Sequence, residues 1–203
     1  MLITFVALYL VASIAIGLIA ATRVHNARDY ISAGRNLPLY IVTAMVFATW
    51  FGAETVLGIS ATFLKEGMRG LVSDPIGASL CLILFGLLFA RPLYRLNLLT
   101  IGDYYRLRYG RLVELVAAVC IVISYLGWVS AQITALGLVF NLLSGDAISI
   151  PAGMVLGTAS ILAYTLFGGM WSVAVTDFVQ MIVIVVGVLA IAWMLSIFTL
   201  LYH

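Results

Sequence analysis

The chain has 203 residues, 65% of them hydrophobic and 9% charged, with a mean hydropathy of +1.21 and a formal net charge of +2. A soluble domain carries roughly half apolar and about a quarter charged residues, so a soluble enzyme, a nucleic-acid binder and a disordered tail are excluded. What remains is an integral membrane protein, and at about 20 residues per span the length holds about six spans.

The first apolar stretch, residues 2–21, reads as a membrane helix and not a cleaved signal: no basic residue precedes it and Arg23 follows it. It defines a leading helix over 1–22 and a basic cytoplasmic loop over 23–37. The second stretch, 38–64, has a polar middle, Ala48-Thr49-Trp50-Phe51-Gly52-Ala53-Glu54-Thr55. Its midpoint is Phe51, so a glycine, two threonines and a carboxylate fall near the bilayer centre. A carboxylate at that depth is costly and points to function. Transporters break helices there so that freed carbonyls can bind a cation. The alternative is a continuous helix with Gly52 at a helix contact and Glu54 facing a buried partner.

The third and fourth stretches are 75–93 and 112–143. Thirty-two residues of helix reach about 48 Å against a core of about 30 Å. The fourth must therefore tilt strongly or begin with an interfacial turn over Arg111 to Leu115, with Glu114 at the water boundary. The fifth and sixth stretches are 151–167 and 173–199, separated by Gly168-Gly169, which permit a tight turn and close helix approach. The pairs Gly127/Ala131 and Gly153/Gly157 are spaced for close helix packing. At the start of the sixth stretch Asp177 and Gln180 share a helix face. They read either as N-terminal capping groups or as a carboxylate-lined exit for a cation.

Charge sets the topology. Arg23, Arg28 and Arg35 follow span one, and Arg91, Arg95, Arg106, Arg108 and Arg111 follow span three, out of ten basic residues in all. The odd-numbered loops are then cytoplasmic and both termini lie outside. Cys81 and Cys120 lie in apolar runs, and His25 and His203 are the two histidines, so neither a disulfide framework, a metal cluster nor a Ser/His/Asp triad can be assembled. No enzymatic chemistry and no organic cofactor is expected. Trp171 and Trp193 sit near span ends, as interfacial aromatics do. Trp50 and Trp128 fall inside spans, where two indoles on one cavity could hold a quaternary ammonium by cation–π contact. Core or lipid-facing tryptophans are the alternative.

The run Tyr164-Thr165-Leu166-Phe167-Gly168-Gly169-Met170-Trp171-Ser172-Val173-Ala174-Val175-Thr176-Asp177-Phe178-Val179-Gln180 resembles the Gly-Gly…Ser-Val-Ala…Thr-Asp…Gln signature of the sodium:solute symporter family. Ala48 to Gly58 resembles that family's broken first core helix. Pro75-Ile76-Gly77 through Phe89-Ala90-Arg91-Pro92 is a third match. The resemblance implies an all-α membrane protein of six transmembrane helices: one leading helix, then over 38–200 the first five-helix repeat of an inverted-repeat, LeuT-like transporter fold, with the second repeat absent. It implies sodium as the coupling ion, bound by the backbone carbonyls of Ala48 and Phe51, and an ion path along Thr176, Asp177 and Gln180. It implies solute contacts at Trp50, Gly52, Thr55, Trp128 and Gln132.

Ala48-Thr49-Trp50, Pro75-Ile76-Gly77 and Trp128 followed by Ala135-Leu136-Gly137 look most like the choline-carrier branch. Glu54 departs from that branch's glycine-rich stretch, and reads as a countercharge for a cationic solute or a mark of a different one. The family completes its sodium site with hydroxyls of the second repeat. The expected function is therefore sodium-coupled transport of a small organic solute across the cell membrane by a longer protein of which this is the N-terminal half. The partners are the solute, sodium, the bilayer and the missing C-terminal half, with no nucleic acid. The alternatives are a truncated, non-transporting fragment and the solute-sensing membrane module of a histidine kinase.

Overall fold

The structure, a computed structural model, describes residues 2–202; Met1 lies outside the described residues, and so does His203, on which the expected outside position of the C-terminus falls. All regular structure among the described residues is helical. The chain divides into two compact units, Met1–Trp50 with Ala159–His203, and Phe51–Thr158.

The first unit begins with α1 (Leu2–Ala21), followed by the short α2 (Ala27–Ser32) and α3 (Leu39–Trp50). Asn26 caps α2, its side chain accepting from the Asp29 N–H at 2.9 Å. The axes on either side of the Asn36–Pro38 link differ by 106°. The C-terminal part of α9 (Ile150–Tyr202) completes this unit. Small and hydroxyl residues make the contacts: Ala20, Ala33, Ala44 and Ala174 are buried, as are Ser172 and Thr176. Gly17 lies so close to Tyr164 that a Cβ there would come within 2.6 Å of its ring-bearing carbon. The Ser172 hydroxyl donates to the Gly17 carbonyl, Tyr30 donates to the Thr165 carbonyl at 3.3 Å, and Tyr40 meets Phe178 edge to face at 5.6 Å. Without a hydrophobic drive between helices in lipid, such close approach and hydrogen bonding carry helix association.

In the second unit a π-helical turn (Glu54–Ile59) runs into α4 (Ser60–Glu66), which stops at Gly67 (φ 62, ψ −145). Tight turns then fold the chain back so that Gly70 packs on Thr62, and α5 (Ala78–Leu88) and α6 (Ala90–Arg95) follow. Helix α7 (Ile101–Tyr109) opens with a capping box between Thr100 and Asp103. Its Arg106 reaches Glu114 of α8 (Arg111–Ser144) at 3.8 Å. α8 ends at Gly145 in the left-handed region (φ 61), which satisfies its last carbonyls. It then packs on the start of α9: Cβ atoms at Gly137 and Gly153 would meet Met154 at 2.5 Å and Phe140 at 2.8 Å.

Several expectations about spans are modified. The stretch 38–64 is interrupted at Phe51 and Gly52, as the broken-helix reading anticipated. Stretch 112–143 becomes one unbroken 34-residue helix, about 51 Å long, so no separate interfacial turn precedes it. No loop separates 151–167 from 173–199. Helical backbone runs through, broken at Gly169 (φ 48, ψ −135), a conformation that favours glycine. Among the described residues, four helices are long and apolar enough to cross a membrane, or five if the bent pair Ala27–Arg35 and Leu39–Trp50 is one span. Gly153 and Gly157 do pack closely, but a Cβ on Gly127 would meet nothing within 4 Å, so that glycine does not serve packing among the described residues. Large apolar side chains face outward along every long helix, among them Phe5, Leu39, Leu87, Leu126 and Trp193. A multi-pass, all-α membrane protein exposes this surface to lipid.

Candidate functional site

Gly52 sits at the helix break against the Gln132 side chain, which must shift to admit anything larger. A Cβ there would stand 3.3 Å from the Gln132 side-chain oxygen. From Gly52 the chain re-enters helix with the Val56 N–H bonded to the Gly52 carbonyl at 3.1 Å. It then widens into the π-helical turn that begins at Glu54, a local irregularity that recurs at functional sites.

On α8, Trp128, Ala131, Gln132 and Ala135 recur at helical spacing and form one face. Together with Ala53, Glu54 and Leu57 they line a cleft of about 350 Å³. The cleft combines small apolar walls, one carboxylate, one amide and one indole. Trp128 is held edge to face by Tyr125 at 6.1 Å and keeps 41% of its surface open. Glu54 also walls a second cavity of about 230 Å³, with Gly58, Ile59, Thr62, Gly70, Ser73 and Asp74. Three of the solute candidates named from sequence, Glu54, Trp128 and Gln132, therefore share a cleft with Gly52 behind it. Thr55 lies in the adjoining turn. Ala53, Leu57, Ala131 and Ala135, which also line the cleft, were not named as solute candidates from sequence. Their helical spacing from Glu54 and Gln132 was the available signal.

Ala48 and Trp50 belong to α3 in the first unit, and Phe51 opens the second. The Thr49 hydroxyl bonds back to the Met45 carbonyl at 2.8 Å within its own helix.

Thr176, Asp177 and Gln180 form a separate group in the first unit. They lie well past the break at Gly169, inside continuous helix, so the capping reading is corrected: no free helix N–H groups are there for them to satisfy. Thr176 is buried, and its hydroxyl bonds the Ser172 and Val173 carbonyls at 2.9 and 3.0 Å. The Tyr164 phenol interacts with Thr176 and Gln180, a partner that span-by-span reading had not picked out. Trp171 receives the Arg23 guanidinium 5.2 Å from its ring centre. Among the described residues no group of three or more His, Cys, Asp or Glu could hold a metal ion.

The profile of the sodium:solute symporter family matches residues 30–200. The human high affinity choline transporter 1 is 30% identical over 195 residues, covering 92% of this chain and 33% of that protein. The human sodium/iodide cotransporter is 30% identical, over 89% of this chain and 28% of its own length. The Bacillus subtilis high-affinity proline transporter PutP is 29% identical, over 83% and 37% respectively. The chain thus spans about a quarter to a third of the length of the choline transporters it matches, 26% in the Caenorhabditis elegans one and 33% in the human one. No solved structure matches the chain.

Proposed function

The chain belongs to the sodium:solute symporter family, and from that premise we propose that the whole protein couples sodium entry to uptake of a small organic cation resembling choline. The observation that carries this reading is the cleft in which the Glu54 carboxylate and the exposed face of Trp128 stand beside Gln132 and the helix break at Gly52. A quaternary ammonium has no hydrogen to donate, so an indole face and a diffuse countercharge are what can recognise it. Gln132 and Thr55 supply hydrogen bonds for a hydroxyl on the solute, and Trp50 would add a second indole.

In this reading sodium rests on the main-chain carbonyls of Ala48 and Phe51, freed by the break. Two carbonyls are too few to replace a hydration shell, so further ligands come from a second repeat. Thr176, Asp177 and Gln180 line the route by which the ion leaves. The chain is then the leading helix and the first five-helix repeat of an inverted-repeat fold, counted as six spans with Gly169 dividing the last two. The arginine-rich loops face the cytoplasm and the N-terminus faces outside.

The test is uptake by cells expressing the full-length reading frame, with labelled choline, proline and iodide compared in sodium and in potassium medium. Sodium-dependent uptake of choline above the other two supports the proposal. Sodium-dependent uptake of proline or iodide alone overturns the cation reading, and sodium-independent uptake overturns symport.

A further inference from the structure

The second cavity walled by Glu54 has a chemistry of its own. Its other walls include Gly58 of the π-helical turn, Thr62 of α4, and Gly70, Ser73 and Asp74 of the turns beyond Gly67. Gly70 seats those turns on α4, since a Cβ there would collide with the Thr62 methyl at 2.5 Å. Glu54 is shared with the solute cleft. Its side chain runs over Gly58, whose added Cβ would touch the Glu54 Cγ at 3.8 Å. The two spaces therefore adjoin at one carboxylate, and both lie within the second unit.

The polar groups on the second cavity are rich in acceptors. Ionised Asp74 and Glu54 can only accept hydrogen bonds. The Thr62 hydroxyl donates its proton to the Gly58 carbonyl at 3.0 Å, which leaves its lone pairs. Among the described residues neither carboxylate has an ion pair or a hydrogen bond, and Lys65 and Arg69 of the same segment line neither cavity. A carboxylate without a partner in a membrane-spanning segment is costly, and a second negative charge on the same cavity adds to the cost. The solute cleft differs. Its indole and small apolar walls suit a quaternary ammonium, and its volume of about 350 Å³ already falls in the range of small-molecule sites, about 300–1,000 Å³. A choline-like cation seated there has no N–H to offer Asp74.

We propose that the solute site continues past Glu54 into this cavity, and that the preferred solute is a two-ended cation. A bulky ammonium head occupies the cleft against Trp128, and a short chain carries an N–H-bearing cation, such as a primary ammonium, to Asp74, Ser73 and Thr62. This deepens the cation reading above and rests on it. Asp74 selects for the second charge, and Glu54 serves both ends.

The test uses purified full-length protein in sodium and reads affinity from the ligand-dependent shift in thermal unfolding. Two probe series are compared: alkyltrimethylammonium ions from propyl to hexyl, and the same chains ending in a primary amine. At one or more lengths the aminated probe should bind at least about tenfold more tightly than its methyl-ended twin, the scale of a charge-assisted hydrogen bond. Asp74→Asn should remove that gain and leave the methyl-ended probes within about twofold of wild type. Ser73→Ala should cut the gain about threefold, and it supplies the reading if Asp74→Asn does not fold. Trp128→Ala should weaken both series. Equal affinity of the two series at every length overturns the inference and leaves the choline-like cation reading standing. So does a gain that survives Asp74→Asn, or Ser73→Ala where Asp74→Asn does not fold. Failure of both series to bind overturns the cation reading, and this inference with it.

Discussion

The Ser172 hydroxyl donates to the Gly17 carbonyl across 155 residues of sequence, in a site where Ser172 has no exposed surface. This bond fastens the leading helix to the family signature segment. Ser172→Ala leaves the carbonyl to its own helix and should lower the unfolding free energy by about 1 kcal/mol, the usual worth of such a bond between membrane helices. Gly17→Leu should cost more, about 1–3 kcal/mol, because its Cβ already collides with Tyr164. Thermal unfolding in detergent measures both. A Gly17→Leu protein as stable as wild type would show that α1 is not seated as described.

Two glycines offer a matched contrast. Gly169 has φ 48 and faces Tyr30, whereas Gly127 is in regular helix with open space where a Cβ would go. Gly169→Ala should destabilise by at least about 1 kcal/mol. Gly127→Ala should be neutral or stabilising by up to about 1 kcal/mol, since alanine is the better helix former. Equal effects in the same unfolding assay would contradict the break at Gly169.

For the solute cleft, Trp128→Ala is expected to raise the KM for a quaternary ammonium solute about 2- to 30-fold, the range of a cation–π contact. Glu54→Gln should raise it for cationic solutes and leave a neutral isostere unaffected. Uptake kinetics in the full-length protein with both solutes separate these outcomes. A Glu54→Gln variant that loses both equally would make Glu54 a structural residue of the π-helical turn.

At the basic loop, the Thr100 N–H holds the Asp103 carboxylate at 2.8 Å, with the Leu99 N–H at 3.1 Å. The Thr100 backbone bond, followed by the Thr100 hydroxyl, the Leu99 N–H and Arg106, keeps the Asp103 carboxyl below its ordinary value of 3.8. A depressed carboxyl stabilises the fold above its unfolded pKa, and that contribution is lost as pH falls through the lower folded value. The start of α7 should therefore be protected at neutral pH and fray only below about pH 4. Thr100→Ala should speed exchange of the Asp103 amide about fivefold at neutral pH, read by hydrogen exchange. Unchanged exchange would show that the cap does not hold the helix.

What could be read from sequence was local. The limits of α8 follow from Gly110 and Gly145 on either side of an apolar run, and the expected 112–143 lies one residue inside each observed end, Arg111 and Ser144. The break after Trp50 was visible because Phe51-Gly52 and a carboxylate interrupt an apolar stretch. The pairing of helix faces was not legible. α1 is apolar nearly all round, and nothing in its own residues says that Gly17 faces a partner 155 positions away. The absence of a loop between spans five and six was hidden for the opposite reason: two glycines suggest a turn, and one of them alone makes the break. The approach of Gly52 to Gln132 is likewise a long-range packing result.

The central claim is that a sodium gradient drives solute through a path built on the helix break. Purified full-length protein in liposomes, given an inward sodium gradient and labelled choline, should accumulate choline above its outside concentration. It should do so in sodium but not in potassium, and Gly52→Leu, which would drive a side chain into Gln132, should abolish accumulation. Accumulation of the same size in potassium, or undiminished in Gly52→Leu, would contradict the claim.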